Sequence, residues 1–86
     1  MSMDMNQLKD QDLEKVAGGI TEEEAVERAL KHVGLTRADV RRVRSHPDWE
    51  HGRQVYEIKF YQGGFEYEFD IDAESGTILK YEKDFD

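Results

Sequence analysis

The sequence predicts an α+β fold: one N-terminal helix packed on a four-stranded antiparallel meander, in two layers. Three observations carry this. One apolar stripe at helical spacing opens the second part of the chain. Several later segments alternate apolar and charged residues with a period of two. Short Gly-containing turns separate those segments.

The helix is expected over 21–33. Thr21-Glu22-Glu23-Glu24 has the spacing of a capping box, in which the Thr21 hydroxyl takes a first-turn amide and Glu24 reaches back to the cap. Three glutamates in the first turn suit the positive end of the helix dipole. Val26, Ala29, Leu30 and Val33 form the apolar stripe, and Gly34 suits the left-handed residue that ends such a helix. Thr36 to Asp39 reads as one capped turn.

The first strand is expected over 40–46, with Val43 facing inward. Pro47 cannot donate to a ladder, so the strand should stop there or lie at an edge, and 48–52 is expected to be a turn. Tyr56, Ile58 and Phe60 share one face of the second strand, with Glu57 and Lys59 opposite. Gln62-Gly63-Gly64 supplies a tight turn. Phe65, Tyr67, Phe69 and Ile71 then alternate with Glu66, Glu68, Asp70 and Asp72, the mark of a half-buried strand. Residues 73–76 form another turn, and 77–82 the last strand, with Ile78, Leu79 and Tyr81 as its apolar residues. The helix stripe is the one apolar element available to cover the aromatic sheet face.

Two segments are expected. Residues 1–19 contain no aromatic residue and end in Gly18-Gly19, whereas residues 20–86 hold all nine aromatics. The core must therefore come from the second. Met5, Leu8, Leu13 and Val16 could share a face of the first, but an isolated helix so short is marginal in water.

Composition narrows the function. The net charge of −8 opposes binding to nucleic acid or anionic membrane surfaces. Without cysteine there is neither a disulfide nor a thiolate nucleophile. No apolar run approaches the roughly 20 residues of a membrane-spanning helix, and the first 19 residues lack the pattern of a Sec-type signal. No pairing of serine with histidine suggests a nucleophile and its base, and no phosphate-binding glycine loop is present. The expectation is a non-catalytic protein-binding module without a cofactor.

Candidate partner-binding residues are Trp49, beside Pro47, and the stripe Glu66, Glu68, Asp70 and Asp72. The stripe could meet a basic partner surface or calcium; its simpler reading is a solvated outer face that resists edge aggregation. No metal site is expected. Asp70-Ile71-Asp72 begins like a calcium loop, but Ser75 and Tyr81 stand where that loop needs glycine and glutamate. His46, Asp48 and His51 lack a known zinc spacing. Arg37, Arg41, Arg42 and Arg44 concentrate basic charge, for carboxylate pairing across the sheet or for docking.

Two resemblances follow from these residues. Ile20-Thr21-Glu22-Glu23-Glu24-Ala25, the strand Tyr56-Glu57-Ile58-Lys59-Phe60 and the stretch from Phe65 to Leu79 resemble a PepSY domain over about 20–82. That family occurs in propeptides of secreted peptidases and in bacterial envelope proteins. The resemblance implies an inhibitor or regulator of a peptidase or envelope protein, acting in trans here, with no catalytic residues to transfer. Separately, Leu8, Leu13, Val16, Gly18 and Gly19, with Asp12 before the middle leucine, resemble the double-glycine leader of bacteriocin precursors; Lys9 departs from the common serine. That resemblance implies docking on the cysteine peptidase domain of an ABC exporter, cleavage after Gly19, and export of the folded cargo to the envelope or medium.

Overall fold

A computed structural model describes residues 18–85. Helix α1 spans Glu22–His32, a 3-10 turn spans Arg37–Asp39, and four strands follow: β1 Arg41–Glu50, β2 Arg53–Gln62, β3 Phe65–Asp72 and β4 Ile78–Phe85. The sheet order is β1-β2-β3-β4, antiparallel throughout. This is the expected two-layer α+β meander.

Both helix ends form as the sequence specifies. The Glu24 amide donates to Thr21 Oγ1 at 3.0 Å and the Thr21 amide donates to Glu24 Oε1 at 2.8 Å, so two orphan first-turn donors are satisfied. At the other end Gly34 takes φ +74. The Leu35 amide then reaches the Leu30 carbonyl and the Gly34 amide that of Lys31, closing a Schellman motif. The capped turn at Thr36 also forms, through the Thr36 amide and Asp39 Oδ2 at 2.9 Å.

Ala25, Val26, Ala29 and Leu30 point from α1 into a core with Tyr56, Ile58, Phe60, Tyr67, Phe69 and Ile71. Burying each large apolar side chain contributes about 1.5–3 kcal/mol. Phe60, Phe69, Ile58 and Leu30 are essentially inaccessible. The helix lies mainly over β1 and β2, so its cover is incomplete. Cross-strand register places Tyr81 beside Phe69 and Phe85 beside Phe65, and these β4 residues are 40% and 85% exposed.

Three strands run longer than expected, and one turn is shorter. β1 continues through Pro47 to Glu50, which an edge position permits because no neighbour needs the missing amide hydrogen. Asp48 and Trp49 are therefore strand residues, and the turn shrinks to His51 and Gly52. Both take positive φ, +54 and +79, as a two-residue hairpin loop needs. β1 also breaks register between Arg41 and Arg44, with Arg42 at φ +55. β2 begins at Arg53 and β4 reaches Phe85, each carried by ladder pairing beyond the apolar alternation.

Candidate functional site

The sheet face away from α1 gathers the charged side chains. β3 alternates strictly, so Glu66, Glu68, Asp70 and Asp72 all face outward. β1 supplies His46, Asp48 and Glu50 by the same rule, because they pair with Glu57, Val55 and Arg53 of β2. Val55 belongs to this outer face yet is fully buried, flanked by Asp48 and Asp72 on the neighbouring strands. The face is thus not uniformly solvated.

The four stripe residues have different surroundings. Glu66 pairs with Lys59 at 3.0 Å, and this carboxylate holds the Lys59 ammonium above its ordinary range. Asp72 Oδ1 accepts the Glu74 and Ser75 amides at 2.8 and 3.0 Å, and Arg53 donates to its Oδ2 at 2.9 Å. The amides of Ser75 and Glu74, with Arg53, hold the Asp72 carboxyl below the usual carboxylate range. Asp72 therefore closes the β3–β4 turn. Glu68 lies opposite Lys59 and Glu82 with no hydrogen bond or ion pair among the described residues.

Asp70 differs most from expectation. It is 9% exposed, and its carboxylate makes no hydrogen bond or ion pair within 4 Å among the described residues. Its cross-strand neighbours are Glu57 and Lys80. Burial, with the negative charges of Glu50, Glu68 and Asp48 beyond it, pushes its carboxyl up, against a smaller opposing effect of Lys80. Glu57 is pushed up as well, first by burial and then by a hydrogen bond with Asp48, while His46 at 3.1 Å acts the other way. Carboxylate oxygens of Asp48, Glu50 and Glu57 all lie within 4.8 Å of one another. Sequence reasoning missed this group because it placed Asp48 and Glu50 in a turn. The available signal was the two-residue spacing His46, Asp48, Glu50, continuing the strand past proline. The trio of His46, Asp48 and His51 is not assembled: among the described residues, the grouped ligands are Asp48, Glu50 and Glu57.

Trp49 stands on the free edge strand, 67% exposed. Alternation places it on the α1 side of the sheet, opposite Gln54 of β2, but it is not part of the core cluster. It lines an open cavity with Gly52, Arg53, Gln54, Asp72 and Glu74, so the fold brings Trp49 and Asp72 to one place. The arginines divide. Arg37 pairs with Glu23 at 2.8 Å and Arg42 lies over the Tyr61 ring at 5.7 Å, whereas Arg41 and Arg44 make no ion pair within 4 Å among the described residues.

Leu8, Leu13 and Val16 lie outside the described residues. Gly18 is exposed with φ +73. Gly19 packs on the β3–β4 turn: a Cβ there would overlap the Ala73 carbonyl oxygen and stand 3.1 Å from the Glu74 Cα. The next amide, Ile20, donates to that same carbonyl at 2.9 Å. No helix among the described residues is long and apolar enough to cross a membrane.

The chain is 39% identical over 61 residues to an uncharacterized protein of Streptococcus pyogenes serotype M6. That match covers 71% of this chain and 47% of the relative, so the chain spans about half the length of the curated relative it matches. No solved structure matches it. The family model described as "Peptidase propeptide and YPEB domain", PepSY, matches residues 19–82. With the helix, the four-stranded meander and the turns in place, the chain belongs to the PepSY family.

Proposed function

We propose that this PepSY domain is a non-catalytic module that docks on a peptidase or a cell-envelope protein and restrains or regulates it. The family description ties such domains to peptidase propeptides. The observation that carries the reading is Trp49, a large aromatic side chain 67% exposed on an unpaired edge strand. Tryptophan is the residue most enriched at binding hot spots, and a free edge offers backbone groups to an extended partner segment. The outer carboxylates Glu66, Glu68, Asp70 and Asp72 would face basic groups of that partner. Titrating the domain into peptidases secreted by the same organism tests the reading. Dose-dependent inhibition that Trp49→Ala abolishes supports it; full activity at saturating domain counts against inhibition.

A second reading concerns the segment before the domain. Residues 1–19 would be a leader, docked through Leu8, Leu13 and Val16 on an exporter's cysteine peptidase domain and cut between Gly19 and Ile20. Residues 20–86 would be the exported cargo. The position of the glycine pair, where the family match begins, favours a junction there. Mass spectrometry of culture medium tests this: a species starting at Ile20 supports it, and uncut chain confined to cells rejects it.

A further inference from the structure

Leu79, Tyr81 and Phe85, large apolar residues left in solvent, all stand on β4. Every residue of that strand after Ile78 is exposed. Helix α1 lies over β1 and β2, so it leaves this end of the sheet bare. The rings are nevertheless packed on their own sheet. Tyr81 stacks on Phe69 with centroids 4.9 Å apart, and Phe85 on Phe65 at 5.2 Å. Lys83 Nζ lies 4.3 Å from the Phe65 ring centroid. The aromatic face therefore continues to the sheet margin and stops there uncovered.

β4 is also an edge strand, so one row of its backbone amides and carbonyls faces no neighbouring strand. The opposite edge, β1, is interrupted by Pro47 and by the register break between Arg41 and Arg44. β4 contains no proline and pairs with β3 without a break from Lys80 to Phe85. It is a regular template for one more strand.

Charge identifies that strand. The chain carries a net −8, yet β4 balances Lys80 and Lys83 against Glu82 and Asp84. Lys80 and Glu82 make no ion pair within their own chain among the described residues. When two β4 strands pair antiparallel about a twofold axis, opposed residues share a face and can interact directly. Centring the pair on Tyr81 sets Lys80 of each copy opposite Glu82 of the other, with the two Tyr81 side chains side by side. Centring it on Lys80, Glu82, Lys83 or Asp84 opposes that residue to its own copy, like charge against like. Centring it on Phe85, at the strand's end, leaves most of β4 unpaired.

We propose that this chain forms a twofold dimer through β4, its two sheets joined edge to edge into one continuous sheet with Tyr81 on the axis. The dimer leaves both Trp49 edges free for a partner. It goes beyond the peptidase reading and does not depend on it. An interface of one strand pair falls at or below the about 1,200 Å² of stable complexes, so association should depend on concentration.

Sedimentation equilibrium of the full chain from about 10 μM to 1 mM tests this, with a monomer–dimer equilibrium expected in that range. Lys80→Glu opposes acid to acid at both symmetric pairs, and Glu82→Lys opposes base to base. Each should weaken self-association at least about tenfold. Mixing the two variants restores opposite charges at both pairs, so the mixture should form a mixed dimer about as tightly as the parent. Loss of folding could not be rescued in that way, and circular dichroism checks each variant alone. Should Lys80→Glu fail to fold with its new carboxylate opposite Asp70, isotope-filtered NMR on a mixture of labelled and unlabelled parent decides. Contacts between residue 80 of one copy and residue 82 of the other are then expected. Their absence in the dimer would overturn the proposal. So would a dimer that neither folded variant weakens, or folded variants that stay apart when mixed. A chain monomeric throughout the range would also overturn it, leaving this edge to residues 1–17 or to a strand of another protein.

Discussion

Gly19 rests on the carbonyl of Ala73 with no room for a side chain, and the Ile20 amide donates to that carbonyl at 2.9 Å. The chain entering α1 is thereby fastened to the β3–β4 turn. The Tyr56 hydroxyl adds a second tie by donating to the Ile20 carbonyl, also at 2.9 Å. A methyl group at position 19 must displace backbone. Gly19→Ala should therefore lower stability by about 1–3 kcal/mol in urea titration. An unchanged midpoint would show that the contact yields freely.

The same contact bears on processing. The Gly19–Ile20 bond is held against the sheet, whereas a peptidase cleft needs it extended and free. The folded chain should be cut after Gly19 far more slowly than the chain in a urea concentration just past its unfolding midpoint. Time courses with a purified exporter peptidase domain that tolerates that urea would measure this. Equal rates would mean that the tie opens without cost to cleavage.

Leu30 sits at the centre of the α1–sheet contact with 1% exposure. Leu30→Ala should cost about 2–5 kcal/mol by denaturant titration, a large share of what a domain of this size commonly has.

Stability should also depend on pH through the outer face. The Asp70 and Glu57 carboxyls are pushed up by burial, so the folded state holds their protons at pH values where the unfolded chain has released them. Stability then falls as pH rises from about 4 through their raised ranges. Asp72 acts in the opposite sense: its lowered carboxyl contributes stability above the unfolded value, lost as pH falls through the folded one. Thermal melts of Asp70→Asn between about pH 4 and 7 should show a flatter decline. A decline as steep as that of the parent would remove Asp70 from the account.

Trp49 should separate binding from folding. It is exposed and packs into no core cluster, so Trp49→Ala should shift unfolding free energy by less than about 0.5 kcal/mol. Loss of partner binding at unchanged stability would identify an anchor. A large destabilisation would instead make Trp49 a structural residue of the β1 edge.

Local chemistry made most of the fold readable in the sequence. Thr21 and Glu24 cap the helix whatever lies beyond it, Gly34 ends it, and strict alternation from Phe65 to Asp72 assigns each side chain a face. Those features depend on residues a few positions apart, and period-two patterning leaves little choice of register. Tertiary structure decided what neighbouring strands supply. It carried β1 past Pro47 because that strand lies at the margin, which moved Asp48 and Glu50 from a loop into a carboxylate group with Glu57. It also buried Asp70 while leaving Trp49 in solvent. The alternation of one strand says which way a side chain points, but its burial depends on the strands paired beside it, and those are set by contacts distant in the chain.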